Sequence, residues 1–501
     1  MITPGGLASI YIMVKKSLKS AIIFLLFIGP CLAQNPTSGS TDYEIEMTGS
    51  AATGKYTPFW IVSNKYGTIP LDAGNAFLRT KVNHRQSLGN ELHWSAGLDL
   101  LAVTPRYRNV YVQQLYTSFQ YKSLCLTIGS FENYSSLWDK ELSSGDMVHS
   151  ANARPVPEIN VSVPKFTPLP FTKRKLQYKG DFALGRSFDT QYLQSYFDEN
   201  RYYVKNVLWH HKSLQIRFLD PQKPVTVVTG IRHHAQWGGT STNPALGKQP
   251  QTFKDMIRIL LGKSGDENAS LSDQINVLGN HYGSYDIQLG YLNEAFDFHF
   301  YYQHFFDDVS GRELMNFPDG LWGLQVDIPN FTWINKIVLE CLDTRYQSGP
   351  IHYLWFDHDL YPGYGGGRDN YYNNGEYTTG ISYFNRGIGS PLLTSPEYNE
   401  DNTTGFKDNR VRSFHLGFQG YLSKQLLYRI LATTTESRGV MSRPYLKKKN
   451  NIACVLKINY CHPRLKNWLF SGEAGTDYGS LYGNNAGICL SITKTGIIRR
   501  K

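Results

Sequence analysis

Most of the chain alternates apolar and polar residues with a period of two. One face of a run carries Tyr285, Ile287, Leu289 and Tyr291, and the other carries Asp286, Gln288 and Gly290. The next run sets Phe296, Phe298, Phe300 and Tyr302 against Asp297, His299, Tyr301 and Gln303. Further on, Phe414, Leu416 and Phe418 oppose His415, Gly417 and Gln419. Ile452, Cys454, Leu456 and Ile458 oppose Asn451, Ala453, Lys457 and Asn459, with Val455 out of phase. Any half-buried strand shows this period. Length separates the cases: many runs reach the roughly 9 to 11 residues that a tilted strand needs to cross a bilayer, against about 5 or 6 in soluble sheets.

The links between runs give the direction. Short links at 220–224, 293–295, 329–332, 422–424 and 461–466 alternate with longer ones at 237–283, 307–320, 348–411, 437–450 and 477–485. A closed antiparallel barrel in an outer membrane has tight periplasmic turns and outer loops that are free to grow. The predicted fold is therefore all-β, a large antiparallel transmembrane outer-membrane β-barrel with long extracellular loops that include 237–283 and 348–411. Counting back from a periplasmic C-terminus gives about eighteen strands, an even number that returns both ends to the periplasm. Between 154 and 170, Pro155, Pro157, Pro164, Pro168 and Pro170 are expected to interrupt any central strand.

The start of the chain predicts export. Met13 is followed by Lys15, Lys16 and Lys19, an apolar run from Ala21 to Ile28, and the small-residue sequence Cys31, Leu32, Ala33. That is the layout of a cleaved signal peptide over residues 1–33, translated from Met13, with 34–501 forming one barrel. The expected address is the bacterial outer membrane.

Charge and cysteine narrow the chemistry. Lys and Arg number 51 against 41 Asp and Glu, a formal net charge of +10. Loss of the three leader lysines leaves +7. This excess suits an acidic glycan or lipopolysaccharide, whereas nucleic acid is disfavoured by export and by the scatter of the basic residues. Cys125, Cys341, Cys454, Cys461 and Cys489 are odd in number and widely spaced, which indicates neither a complete disulfide framework nor a zinc site. Cys454 reads as a small lipid-facing hydrophobe.

Signals for catalysis are weak. Gly262, Lys263 and Ser264 resemble the end of a phosphate-binding loop, but the leading glycine is replaced by Ile257. Gly363, Gly365, Gly366 and Gly367 meet Arg368 where a dinucleotide motif needs glycine. His233 with His234, and Asp357 with His358 and Asp359, are ligand-type residues without a zinc or nucleophile motif around them. No enzyme activity, cofactor or metal is expected.

Two outer segments stand out. In the first, Thr252 and Asp255 form a helix-capping pattern, and Phe253, Met256, Ile257, Leu260 and Leu261 are predicted to line one face before Gly262 ends the turn. That face is expected to pack against neighbouring loops or fold over the barrel mouth rather than lie on the membrane surface. The second segment, YPGYGGGRDNYYNNG from Tyr361, is the candidate glycan site. Sugars take aromatic faces on their C–H patches and planar polar groups on their hydroxyls. Tyr361, Tyr364, Arg368, Asp369, Asn370, Tyr371, Tyr372, Asn373 and Asn374 are the right types. A Tyr-rich loop packed on itself has the same composition.

The segments TPFWIVSNKYGTIP at Thr57, SANARPVPEI at Ser150, PLPFTKRKLQYKG at Pro168 and RYYVKNVLWHHKSLQIRF at Arg201 carry a family likeness. VLGNHYGSYD at Val277, YYQHFFDD at Tyr301, DGLWGLQVD at Asp319, NYYNNGEYTTG at Asn370 and GSLYGNNAGICLSI at Gly479 continue it. In order and spacing the chain resembles the Wzi-like capsule-assembly proteins of Gram-negative outer membranes. The resemblance implies a barrel of about eighteen strands that binds exported capsular polysaccharide as a lectin, not an enzyme, and helps hold it at the surface. Expected partners are capsular polysaccharide, outer-membrane lipid and lipopolysaccharide, and the barrel-assembly machinery, with the barrel a monomer. One departure is the tail from Gly496 to Lys501, which lacks the terminal aromatic residue common in such barrels. An outer-membrane porin or diffusion channel would share the barrel and leader and stands as the alternative.

Overall fold

The alternating runs pair into one closed sheet. The computed structural model describes residues 37–500 apart from Arg106, Ser135, residues 221–222 and residues 352–366. The leader, Tyr361, Tyr364 and the Asp357, His358, Asp359 cluster lie outside the described residues.

The wall begins with β1 (Thr37–Tyr56), β2 (Asp72–Ser87), β3 (Leu92–Thr104), β4 (Val110–Tyr121), β5 (Leu124–Ser130) and β6 (Glu158–Pro168). It continues through β7 (Leu176–Arg186), β8 (Leu208–Leu219), β9 (Val225–Trp237), β10 (Asn280–Leu292), β11 (Asp297–Phe306) and β12 (Gly320–Asp327). It ends with β13 (Lys336–Asp343), β14 (Val411–Ser423), β15 (Leu426–Val440), β16 (Arg443–Cys461), β17 (Trp468–Gly479) and β18 (Asn485–Arg500). Each strand pairs antiparallel with its chain neighbours, and β18 closes the 18-stranded sheet on β1 from Ser40↔Arg500 to Thr53↔Ala486. Closure leaves no edge in the wall, as a lipid setting requires. The links at the end that holds Thr37 and Arg500 are short and those at the other end are mostly long, which orients the barrel with its long links outside.

The predicted phase holds. Ile287, Leu289, Phe298 and Phe300 are exposed on the outer wall, and Leu416 and Phe418 share that face half-buried. Asp286 and His415 are buried on the inner face, where Gln288, His299 and Gln419 are half-buried. Val455 points inward and is buried, so its break in polarity marks an apolar lumen at that level.

Two boundaries differ from expectation. The prolines between 154 and 170 do not exclude a strand, because β6 runs through Pro164 with a register shift between Val163 and Thr167. The irregularity removes the need for a ladder N–H there. The segment 437–450 is not a loop, since β15 and β16 continue as a paired ribbon to Val440↔Arg443, with Gly439 at φ 79° beside the shift.

Three outer links turn into the lumen: residues 57–71 with the short helix α1 (Phe59–Val62), residues 131–157, and the described part of 344–410. Phe59, Trp60, Ile61, Leu142, Met147, Tyr371, Tyr372 and Leu393 from these links pack on inward Phe77, Leu101, Tyr301, Phe305, Leu342 and Val411 of the wall. The hydrophobic core of the molecule is therefore inside the barrel.

Candidate functional site

Polar wall residues hold the inserted links. Glu340 accepts from Ser143 Oγ at 2.7 Å and from Ser144 N at 2.6 Å. Gln303 Oε1 accepts from Met147 N at 2.7 Å, and Trp60 Nε1 donates to Thr433 Oγ1 at 3.0 Å. Arg232 pairs with Asp146 deep in the lumen. The approach is close enough to require glycine at 417, where a Cβ would sit 2.4 Å from the Leu142 carbonyl oxygen. Toward the periplasm the lumen opens into a charged vestibule of about 630 Å³ that ends against Trp60 and Ile69. Lys457 and Lys65 meet Glu473 there at 2.8 and 3.3 Å.

The segment predicted to stack on sugars serves this plug. Tyr371 and Tyr372 are 0% and 1% exposed. Both rings meet Phe305, at centroid distances of 5.0 and 5.5 Å, and Tyr372 also meets Phe406 at 5.1 Å. Neither offers a free face, because their apolar area fills the lumen instead. Asp369 is buried and accepts from Ser310 Oγ at 2.9 Å and Ser348 Oγ at 2.6 Å. The Asn373 side chain brackets the Phe406 backbone, Nδ2 donating to the Phe406 carbonyl and Oδ1 accepting from the Phe406 N–H, and Asn374 Oδ1 accepts from the N–H groups of Glu376 and Tyr377. Asn370 Oδ1 accepts from Asn409 Nδ2 at 2.7 Å. Within 368–374, Arg368 and Asn370 keep exposed surface.

An outward cleft of about 590 Å³ lies at the mouth, a size typical of ligand sites. The end of β1 gives it Lys55 and Tyr56, the inserted link gives Tyr398, Glu400 and Asp401, β16 gives Tyr445 and Lys449, and the last link gives Tyr482 and Asn484. Tyr56, Tyr398 and Tyr482 form a continuous aromatic run, with centroids 5.3 and 4.9 Å apart, and Tyr482 stacks on Phe59 of the plug. Lys449 sits 4.4 Å from the Tyr445 ring centre. Lys55 reaches Glu400 at 2.6 Å, and that hydrogen bond holds the Glu400 carboxyl below its ordinary range. Exposed Lys447 and Lys448 extend the basic rim. The strands beneath fix these groups in position. Sequence reading passed over this cleft because its parts come from four distant segments, although the lysine run 447–449 and the Tyr-Gly-Asn-Asn of 482–485 were visible.

Other clusters are structural in form. His211 gives one ring nitrogen to Asp181 at 2.5 Å and the other to Glu158 at 2.8 Å, so neither is left to take a proton from nearby Ser213, which itself bonds Asp181. His233 and His234 point to opposite sides of the wall, His233 stacking on His281 and His234 on His211. Asp307, Asp308 and Asp369 bring carboxylate oxygens within 4.8 Å, the donor type a hard divalent cation uses. Burial and then the charge of Asp308 push the Asp369 carboxyl up to about 7, and burial and Asp369 raise Asp307. Among the described residues all five cysteines are free thiols, and Cys454 is half-buried on the outward-facing side of β16.

No family model and no curated protein matches the chain. Among solved structures it is similar to Wzi of Escherichia coli, described as an outer-membrane, carbohydrate-binding β-barrel involved in group 1 capsule assembly. The identity is 11% and the TM-score 0.56, over 90% of this chain and 83% of that one. A looser likeness, to OccK3 of Pseudomonas aeruginosa, covers 92% of this chain and 96% of that one at 9% identity, with a TM-score of 0.48. What the chain shares with Wzi is the fold of an outer-membrane barrel.

Proposed function

We propose that this barrel is a non-catalytic surface lectin that binds capsular polysaccharide at its outer cleft and helps assemble or anchor the capsule. The observation that carries the reading is the pairing of a lumen filled by a hydrophobic core with an outward cleft of tyrosines, amides and lysines. A diffusion channel needs a continuous aqueous path, and Trp60, Met147, Tyr371 and Tyr372 stand across it. The Wzi barrel, which binds carbohydrate, supports the same reading by fold. The monomeric barrel would present Tyr56, Tyr398 and Tyr445 to sugar rings, and Lys55 and Lys449 to the acidic groups of an anionic glycan. Arg368 and Asn370 are proposed as further contacts, as are Tyr361 and Tyr364 on residue type alone. Export through a cleaved leader, lipopolysaccharide contact and dependence on the barrel-assembly machinery belong to the same proposal.

The test is the division of capsule between cell-bound and shed fractions at equal barrel abundance. Tyr56→Ala, Tyr445→Ala and Lys449→Ala together should release capsule, because each lost stack or charge-assisted hydrogen bond costs on the order of 1 kcal/mol. Added salt should weaken wild-type binding if the glycan is acidic. An unchanged division would remove the cleft from the binding site, and normal retention in a deletion strain would remove the anchoring role.

A further inference from the structure

The capped helix in 238–279 forms as the sequence predicts, and its cover differs from the expectation. Helix α2 (Phe253–Leu261) starts at a capping box, with Thr252 N donating to Asp255 Oδ2 at 2.8 Å and Asp255 N to Thr252 Oγ1 at 3.3 Å. It ends at Gly262 in the left-handed region, φ 60°. Its packed side is Ile259 with Met256, set against Ala235, Trp237 and Leu278. Ala235 and Trp237 share the phase of lipid-facing Ile231, whereas Arg232, His234 and Gln236 between them point into the lumen. The helix therefore lies on the outside of the wall, and Lys212 from the outward face of β8 bonds its last turn at the Leu260 carbonyl.

The opposite stripe is bare. Phe253, Ile257 and Leu261, spaced one helical turn apart, are 76%, 39% and 62% exposed. Leu271 and Ile275 of the short following helix, Leu271–Ile275, add 72% and 54%. The height of this surface identifies its occupant. An apolar band about 25 Å tall, crossed by strands tilted about 40°, takes about ten residues of strand. Counted along β9 from exposed Val225, that band ends near Ala235, where α2 begins to cover the wall. Exposed Ile231, Leu214 and Ile287 continue the apolar surface below it, and Lys254 and Lys263 stand exposed at its ends.

We infer that α2 and the turn after it form an interfacial anchor whose Phe253, Ile257 and Leu261 insert between lipids at the headgroup boundary of the outer leaflet. An amphipathic helix with an aromatic and aliphatic stripe and lysines beside it suits that boundary. The anchor fixes the height of the barrel in the membrane, independently of any glycan.

Lipid quenching tests it in the full chain with its native cysteines replaced. Phe253→Cys, Ile257→Cys and Leu261→Cys would each carry an environment-sensitive fluorophore, with Lys254→Cys and Lys263→Cys as aqueous references and Ile231→Cys as the lipid reference. In phosphatidylcholine vesicles brominated near the glycerol end of the acyl chains, stripe emission should fall roughly twofold or more, while the Lys254→Cys and Lys263→Cys labels change little. Stripe labels quenched by aqueous iodide as strongly as Lys254→Cys would overturn the inference. Protection from both quenchers would also overturn it, because a second copy or another protein would then cover the stripe.

Discussion

Two links leave the outer rim of one wall and take opposite courses. The described part of residues 344–410 turns inward and fills the barrel, whereas 238–279 turn outward and lay a helix against its lipid side. The difference lies in how each satisfies its polar groups. The described inward link is largely irregular, so its backbone and phenols need partners, and the wall and the neighbouring outer links supply them. Tyr371 Oη meets Asn316 at 2.6 Å and Asp319 at 3.2 Å, Tyr377 Oη donates to the Gly238 carbonyl at 3.2 Å, and Gln236 donates to the Gly380 carbonyl at 3.0 Å. Buried polar groups are tolerated when paired in this way. The outward link bonds its own backbone as a helix over Phe253–Leu261, and so can carry bare apolar side chains there to a surface without such partners.

The contrast can be broken most severely at the plug. Tyr372→Ala should destabilise the lumen core by about 3 to 5 kcal/mol through the cavity it leaves, and should lower the urea midpoint of unfolding. The wild-type barrel should be nearly silent in planar bilayers, and this variant should show channel events. Steady large conductance of the wild type would end the closed-lumen reading. Gly417→Ala presses on the Leu142 carbonyl from the wall side and should cost about 1 to 3 kcal/mol, with smaller channel activity.

Labelling sharpens the inside and outside assignments without much change in stability. Cysteines replacing Ile287, Leu289, Phe298 and Phe300 should react with membrane-restricted thiol reagents, and those replacing Gln288 and His299 should not. Equal aqueous reactivity on both faces would end the barrel assignment.

The smallest effect concerns Asp369, which fastens the inward link. Its folded pKa, raised to about 7, exceeds the ordinary carboxylate value, so the folded state binds more protons between about pH 4 and 7. Its contribution to stability is fully present below that window and is lost as pH rises through it. Asp369→Asn should flatten this part of the pH dependence and gain about 1 kcal/mol or less at neutral pH relative to wild type, read by urea unfolding at each pH. An unchanged slope would show that Asp307 or another group carries the titration.

The wall was legible because its information is local. Period-two patterning assigns Asp286 inward and Ile287 outward without reference to any distant residue, and a run that crosses a bilayer must be long. Thr252, Asp255 and Gly262 announced their helix for the same reason. The cover of that helix was not legible, since Phe253 and Ile259 are equally apolar and only the position of Ala235 and Trp237 decides which is buried. Pro164 likewise sits in a strand because the neighbouring strands tolerate an irregularity there.

The sequence by itself determined a barrel, its phase and the end that carries the long links. Tertiary structure alone decided which tyrosines are available. Tyr371 and Tyr372 fill the lumen, while Tyr56, Tyr398 and Tyr445 line the outer cleft, although all five are the same residue in polar, glycine- or asparagine-rich surroundings. Whether a ring face is covered depends on chain segments remote in sequence, such as Phe305 beside Tyr371 or Tyr56 beside Tyr398, and no local pattern encodes those approaches.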